Sequence, residues 1–265
     1  MIEQSENILS NRYIRYRTLL QQLNYSTNDD GISYSYELFH SDSQKIKELL
    51  KIGQHETSND FDKALYIMRK LHKLLITSGN AGCPDVRNGL QMLENRNIQR
   101  LNCRGHAIVL NDILLAYGYK SKFICCMSDD PADPECHVTN QVYIKKFHKW
   151  IMLDSALQAY VEGDGGIPLG LEEVRKNIIN GVKLKFMISP SVPNDNLIRD
   201  NFENYLIKNM YCFLSYEHYG LCCDNKDNNN SKILLLPVND NTSWSKGYKK
   251  IKNVRISNCL NSFFE

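Results

Sequence analysis

A cysteine, a histidine and an aspartate stand in the order Cys103, His137, Asp154, and each has a type and a setting suited to acyl transfer. Cys103 lies in "LNCRGHAIVLNDILLAYGY" (101–119), just ahead of a run whose apolar positions recur at helical spacing. At a helix start, free backbone N–H groups and the positive end of the macrodipole stabilise a thiolate, the nucleophilic form of the side chain. His137 opens the alternating stretch "HVTNQVYI", and Asp154 closes "WIMLD". If 137–144 and 149–154 pair as a hairpin, the start of one strand lies beside the end of the other, and the two side chains meet. Acyl transfer by a thiol needs a nucleophile, a base in reach and a group that fixes the base's tautomer. Cys103, His137 and Asp154 are the expected catalytic residues.

The flanking sequence predicts the elements that must position them. "NDFDKALYIMRKLHKLLITSG" reads as an amphipathic helix capped by Asn59 or Asp60, with Phe61, Ala64, Leu65, Met68, Leu71, Leu74 and Leu75 on its inner face and Gly79 as its stop. The helix from Cys103 carries Ala107, Leu110, Leu114 and Tyr117 on one face and ends at Gly118. After it the period changes to that of strands, in "KSKFICCM", "HVTNQVYIKK" and "HKWIMLDSA". The expected fold class is α+β: an antiparallel sheet packed on a helix that carries the nucleophile at its N-terminus, with N- and C-terminal extensions. Three regions follow from texture. Residues 1–59 form a helical accessory segment, in which Ser41 or Ser43 caps a helix bearing Ile46, Leu49 and Leu50. Residues 60–187 form the catalytic core, with a further helix on "LEEVRKNIING". Residues 188–265 form an α/β extension with a helix at 194–209, strands in "MYCFLSY" and "KILLLPV", and a mobile loop near 222–232.

Over about residues 60–187 this order of motifs resembles the core of the transglutaminase-like superfamily, papain-like in its Cys-His-Asp arrangement. The resemblance implies a cysteine-proteinase-like core that forms a thioester on Cys103 from a peptide or protein amide substrate. His137 then takes the thiol proton and later protonates the leaving amine, while Asp154 orients the imidazole. Water would make the chain a protease or amidase; an amine acceptor would make it a transamidase. The bacterial look of the extensions and the absence of calcium-loop spacing favour water. No cofactor and no metal is expected. The chain departs from the family pattern at Thr139, where an aromatic residue is common, and lacks the tryptophan or glycine often found before the cysteine. Those departures bear on substrate shape.

Other residues compete for roles. His106, one helical turn after Cys103, is an alternative base. The Cys103 N–H is a natural oxyanion donor, and Asn97 or Gln99 could supply a second. His148 is expected in a solvent-facing turn and Trp150 in the core beside the site. The loop "SDDPADPEC" sets Asp129, Asp130, Asp133 and Glu135 ahead of His137, where they could attract cationic substrates. Two alternatives belong to other classes: a non-catalytic binding or scaffold module on the same fold, and a metal protein using Cys136 and His137 with Cys125 or Cys126.

Composition bounds the partners. The 265 residues carry 32 basic and 30 acidic side chains, a formal charge of +2, so no whole-molecule field points to nucleic acid or to a membrane surface. No apolar run approaches the roughly 20 residues of a membrane span, and the start reads as neither export signal nor lipidation site. Nine scattered cysteines, an odd number, point to reduced thiols and a cytoplasmic setting.

Overall fold

The computed structural model describes residues 2–52, 59–77, 88–95, 100–189, 196–220, 231–244, 247 and 253–265. Its helices are α1 (Ile2–Gln21), α2 (His40–Leu50), α3 (Asp60–His72), α4 (Gly89–Glu94), α5 (Cys103–Ala116), α6 (Leu171–Asn180), α7 (Asn196–Lys208) and α8 (Leu260–Phe264). Its strands are β1 (Ile76–Thr77), β2 (Arg100–Leu101), β3 (Ser121–Met127), β4 (His137–Ile144), β5 (Lys149–Leu153), β6 (Ala159–Glu162), β7 (Lys185–Ile188), β8 (Cys212–Tyr216), β9 (Lys232–Leu235) and β10 (Val254–Ser257). Together they make a mixed α+β structure around a mostly antiparallel sheet.

The central sheet has six strands in the order β10-β9-β8-β3-β4-β5, with β10 and β9 parallel and every other pair antiparallel. The alternation in β4 explains its two faces. Val138, Val142 and Ile144 join Phe123, Ile151 and Leu153 in one apolar cluster with α5, α3 and α2. Ile124, Cys126 and Met152 point the other way, into a second cluster with α6, α7 and α8. The sheet is therefore covered on both faces, and α5 is buried nearly all round, from Gly105 to Ala116. The texture boundary at 187/188 falls inside this arrangement, because β8, β9 and β10 extend the same sheet that holds β4 and β5.

Caps and stops differ in places from the sequence expectation. Asn59 caps α3 as expected, its Oδ1 accepting the Asp62 N–H at 3.0 Å. The helix stops at His72, and Leu74, past the stop, is 50% exposed instead of facing inward. In α2 neither serine caps. The helix starts two to four residues earlier, after Phe39, and Ser43 donates its hydroxyl to the Ala116 carbonyl at 3.1 Å, tying α2 to the end of α5. Among the described residues no helix is long and apolar enough to cross a membrane.

A buried carboxyl fixes the segment that leads toward the Cys103 helix. Asp112 on α5 accepts the Gly89 N–H at 2.8 Å, and a Cβ on Gly89 would come within 2.9 Å of that same oxygen. Burial pushes the Asp112 carboxyl up to about 6, against the pull of the Gly89 hydrogen bond. We expect Asp112→Ala to cost about 1–3 kcal/mol, the usual penalty for stranding a buried donor, and Asp112→Asn to cost less. Because the folded acid is weaker than the unfolded one, the charged form is penalised above about pH 6 and the penalty fades on acidification toward pH 4. Urea midpoints should show wild type gaining on Asp112→Asn over that window; parallel curves would remove the carboxyl from this role.

Candidate active site

Asn102 ends the short β2 segment in extended conformation and turns the chain into α5, its side chain accepting the Gly105 N–H at 2.9 Å. That cap makes Cys103 the first helical residue, where its own N–H has no intrahelical acceptor. Cys103 is partly exposed, whereas the rest of the helix from Gly105 on is buried. One turn further along, the Ala107 carbonyl accepts the Asn140 side-chain amide at 2.8 Å. This bond, with the apolar packing of α5 on Val138 and Val142, sets the helix start beside the strand start and brings Cys103 to His137.

The hairpin expected from the sequence forms, with Asn140 opposite Leu153 and Ile144 opposite Lys149. Its open end carries His137 and Asp154, whose Nε2 and Oδ2 lie 2.5 Å apart. Asp154 leaves the β5 ladder to bridge Ala159, and its Oδ1 accepts the Leu157 N–H at 3.0 Å. Both carboxylate oxygens are thus engaged, one by the turn and one by the imidazole. Thr139, next on the same face as His137, donates its hydroxyl to the Leu153 carbonyl at 2.9 Å and holds the two strands together there.

His137 is 3% exposed and Asp154 is fully buried. Burial pulls the imidazole pKa down, but the adjacent Asp154 carboxylate outweighs it through charge and hydrogen bond, and a hydrogen bond with Cys103 adds to the effect; the result is about 10. With Nε2 on Asp154, the nitrogen left for Cys103 is Nδ1. The Cys103 Sγ also lies 3.8 Å from the Cys136 carbonyl. The three residues singled out in the sequence therefore come together, Asp154 bonded to the His137 imidazole and the Cys103 thiol beside it.

The sequence reading missed the roof over these residues. From α7, Phe202 and Tyr205 pack in T-shaped contact with the His137 ring at centroid distances of 5.3 and 5.6 Å. The Tyr205 hydroxyl donates to the Cys136 carbonyl at 2.7 Å. One turn on, Lys208 reaches Asp133 at 2.7 Å and Glu135 at 3.0 Å. The helical spacing of Phe202, Tyr205 and Lys208 was visible, but nothing local says that this face docks on residues 133–137.

That docking adds an internal cation to the acidic loop. Asp133 and Glu135 share Lys208, and Asp133 also accepts the Glu135 N–H at 2.9 Å and the Ser128 hydroxyl at 3.3 Å. Two of its four carboxylates thus share an internal cation, while Asp130 and Glu135 remain exposed. Trp150 corrects the sequence reading. It sits four residues up β5 from Asp154, about 13 Å at strand rise, and packs with Tyr36, Tyr143 and the Lys122 ammonium instead of beside the site. His106 is buried and stacks on His72 at 5.9 Å, and His148 occupies the β4–β5 turn. Asn97 and Gln99 lie outside the described residues, as does the loop near 222–232 up to residue 230.

The surrounding thiols differ sharply. Cys126 and Cys212 are buried, which pushes their pKa well up. Cys136 is held down at about 6, first by a hydrogen bond with Cys125, with burial opposing and the His137 and Arg104 charges assisting. Among the described residues no group of three or more His, Cys, Asp or Glu side chains is arranged to hold a metal ion.

No protein-family model matches the chain, and no curated protein matches it. Among solved structures it is similar to a proposed cysteine protease from Cytophaga hutchinsonii, at 16% identity and a TM-score of 0.36 over 51% of this chain and 46% of that one. The chain thus spans about half the length of that protein.

Proposed function

We propose that this chain is a thiol enzyme that transfers the acyl group of a peptide or protein amide through a thioester on Cys103. The observation that carries the reading is the Cys103–His137–Asp154 grouping, with its 2.5 Å contact between imidazole and buried carboxylate. In the resting site His137 is the proton store. The Cys103 sulfur attacks the amide carbon, and its C–N bond breaks as the Nδ1 proton passes to the leaving amine. The neutral imidazole then takes a proton from the acceptor, and attack on the thioester carbon releases the product and the thiolate. Asp154 keeps the imidazole in one orientation throughout and stabilises its charged form. The Cys103 N–H at the start of α5, which has no intrahelical acceptor, is the proposed donor to the developing oxyanion. Water is the proposed acceptor, so the reaction is hydrolysis; an amine in its place gives transamidation on the same thioester.

Turnover separates Cys103 from the acidic thiol of Cys136. With fluorescein-labelled casein as substrate, Cys103→Ala should abolish hydrolysis and Cys136→Ser should retain it. Parallel assays with monodansylcadaverine read incorporation into casein and so distinguish amine from water. Wild-type turnover by Cys103→Ala would end the reading.

The orienting acid has its own test. Asp154→Asn should lower kcat by about 10³–10⁴-fold, as loss of the orienting aspartate does in the serine-protease template. Because the folded imidazole binds its proton far more tightly than the unfolded one, its contribution to stability is fully present below about pH 6.5 and is lost as pH rises through about 10. The stability advantage of wild type over Asp154→Asn in urea should therefore shrink steadily across that range. A constant gap would show that Asp154 supports the turn and not the imidazole.

The Tyr205 hydroxyl fixes the peptide just before His137. A hydrogen bond of this kind is worth about 1 kcal/mol net, so Tyr205→Phe should lower kcat by up to about tenfold and leave KM unchanged. An unaltered kcat would make the contact a bystander.

A further inference from the structure

We infer that Cys125 and Cys136 form an oxidisable dithiol whose closure to a disulfide by a peroxide switches the neighbouring site off. The inference rests on the thioester reading for its consequence, though not for the bridge itself. β3 and β4 pair with Cys125 opposite Val138 and Cys126 opposite His137, so Cys136, just outside the ladder, is the diagonal neighbour of Cys125 on the same face. The two side chains share a hydrogen bond. Both are partly exposed free thiols, unlike buried Cys126 and Cys212. Arg104 and His137 bring positive charge to Cys136, the environment that makes a cysteine oxidant-sensitive.

The chemistry balances with hydrogen peroxide as oxidant. The Cys136 thiolate attacks one peroxide oxygen, the O–O bond breaks, and hydroxide leaves and takes a proton from solvent, giving a sulfenic acid and water. The Cys125 sulfur then attacks the sulfenic sulfur, and the S–O bond breaks as the departing oxygen takes the Cys125 proton to form a second water. Both sulfurs are oxidised by one electron each and the peroxide is reduced. Two equivalents of a small thiol reverse the bridge by exchange.

Geometry supplies the switch. Diagonal cross-strand neighbours lie about 7–8 Å apart, whereas disulfides span about 4.4–6.8 Å between Cα atoms, so bridging must draw Cys136 toward β3. Its carbonyl is the group that receives the Tyr205 hydroxyl at 2.7 Å and faces the Cys103 Sγ at 3.8 Å, and the next residue is His137. Moving that peptide pulls the imidazole away from Cys103.

The test oxidises the full chain with hydrogen peroxide, maps linked peptides by mass spectrometry without reduction, and follows iodoacetamide labelling of Cys103 and casein hydrolysis before and after dithiothreitol. A 125–136 linked peptide should accumulate as both Cys103 readouts fall at least tenfold, with recovery on reduction. Cys125→Ser, with Cys125→Ala as a second variant in case one fails to fold, should keep the reduced activity and resist brief oxidation. Three results would overturn the inference: no 125–136 peptide, a bridged chain as active as the reduced one, or equal loss in the Cys125 variants, which would mean that Cys103 itself is oxidised. A bridge forming in a chain whose reduced form never hydrolyses casein would instead retire the thioester reading and leave the dithiol standing.

Discussion

The contact between the His137 imidazole and the Asp154 carboxylate, at 2.5 Å and almost wholly out of water, is the constraint around which the surrounding structure is arranged. A buried carboxylate is costly unless it is paired and hydrogen-bonded, and removing one member of such a pair costs about 3–5 kcal/mol. Every nearby element answers that requirement. The β4–β5 hairpin brings the two residues to one end, the Leu157 N–H occupies the second carboxylate oxygen, and Thr139 pins the strands. Phe202 and Tyr205 complete the enclosure, their rings in T-shaped contact with the imidazole and closing it off from water. The imidazole keeps its charge because the carboxylate more than repays the burial.

The same burial sorts the sulfurs. Six free thiols occur among the described residues, and burial pushes the Cys126 and Cys212 thiols well up, so that they stay protonated. Cys136 is held acidic where a hydrogen-bond partner and cations gather, while Cys103 owes its position to a helix cap. Placement by neighbours, and not the cysteine itself, distinguishes one thiol from the next.

What was legible in the sequence follows the range of the forces. The alternation of 137–144, the following strand and the short turn between them are local, so the hairpin and the meeting of His137 with Asp154 could be read directly. The cap at Asn59 and the start of α5 at Cys103 were legible for the same reason. Trp150 was misplaced because an aromatic at a strand position says that it packs but not against what; its neighbours Tyr36 and Lys122 come from elsewhere in the chain. Leu74 was misplaced because apolar spacing continues past the point where α3 ends. The pairing of Lys208 with Asp133 and Glu135 is separated by more than 70 residues, and it depends on β8 joining the sheet beside β3, a choice that no local pattern encodes.

That late helix has a consequence for the order in which the molecule is made. A chain emerging from the ribosome as far as Asp154 already holds the sulfur, the imidazole and the carboxylate, yet lacks both aromatic rings and the ammonium that gathers the 133–135 loop. Those arrive only with α7, about 50 residues later, which at about 5–20 residues per second is several seconds of synthesis. During that interval the imidazole is open to water and its carboxylate contact is weakened by the higher dielectric. The nascent polypeptide therefore carries the imidazole–carboxylate pair unenclosed until a late segment that touches only its periphery has been made.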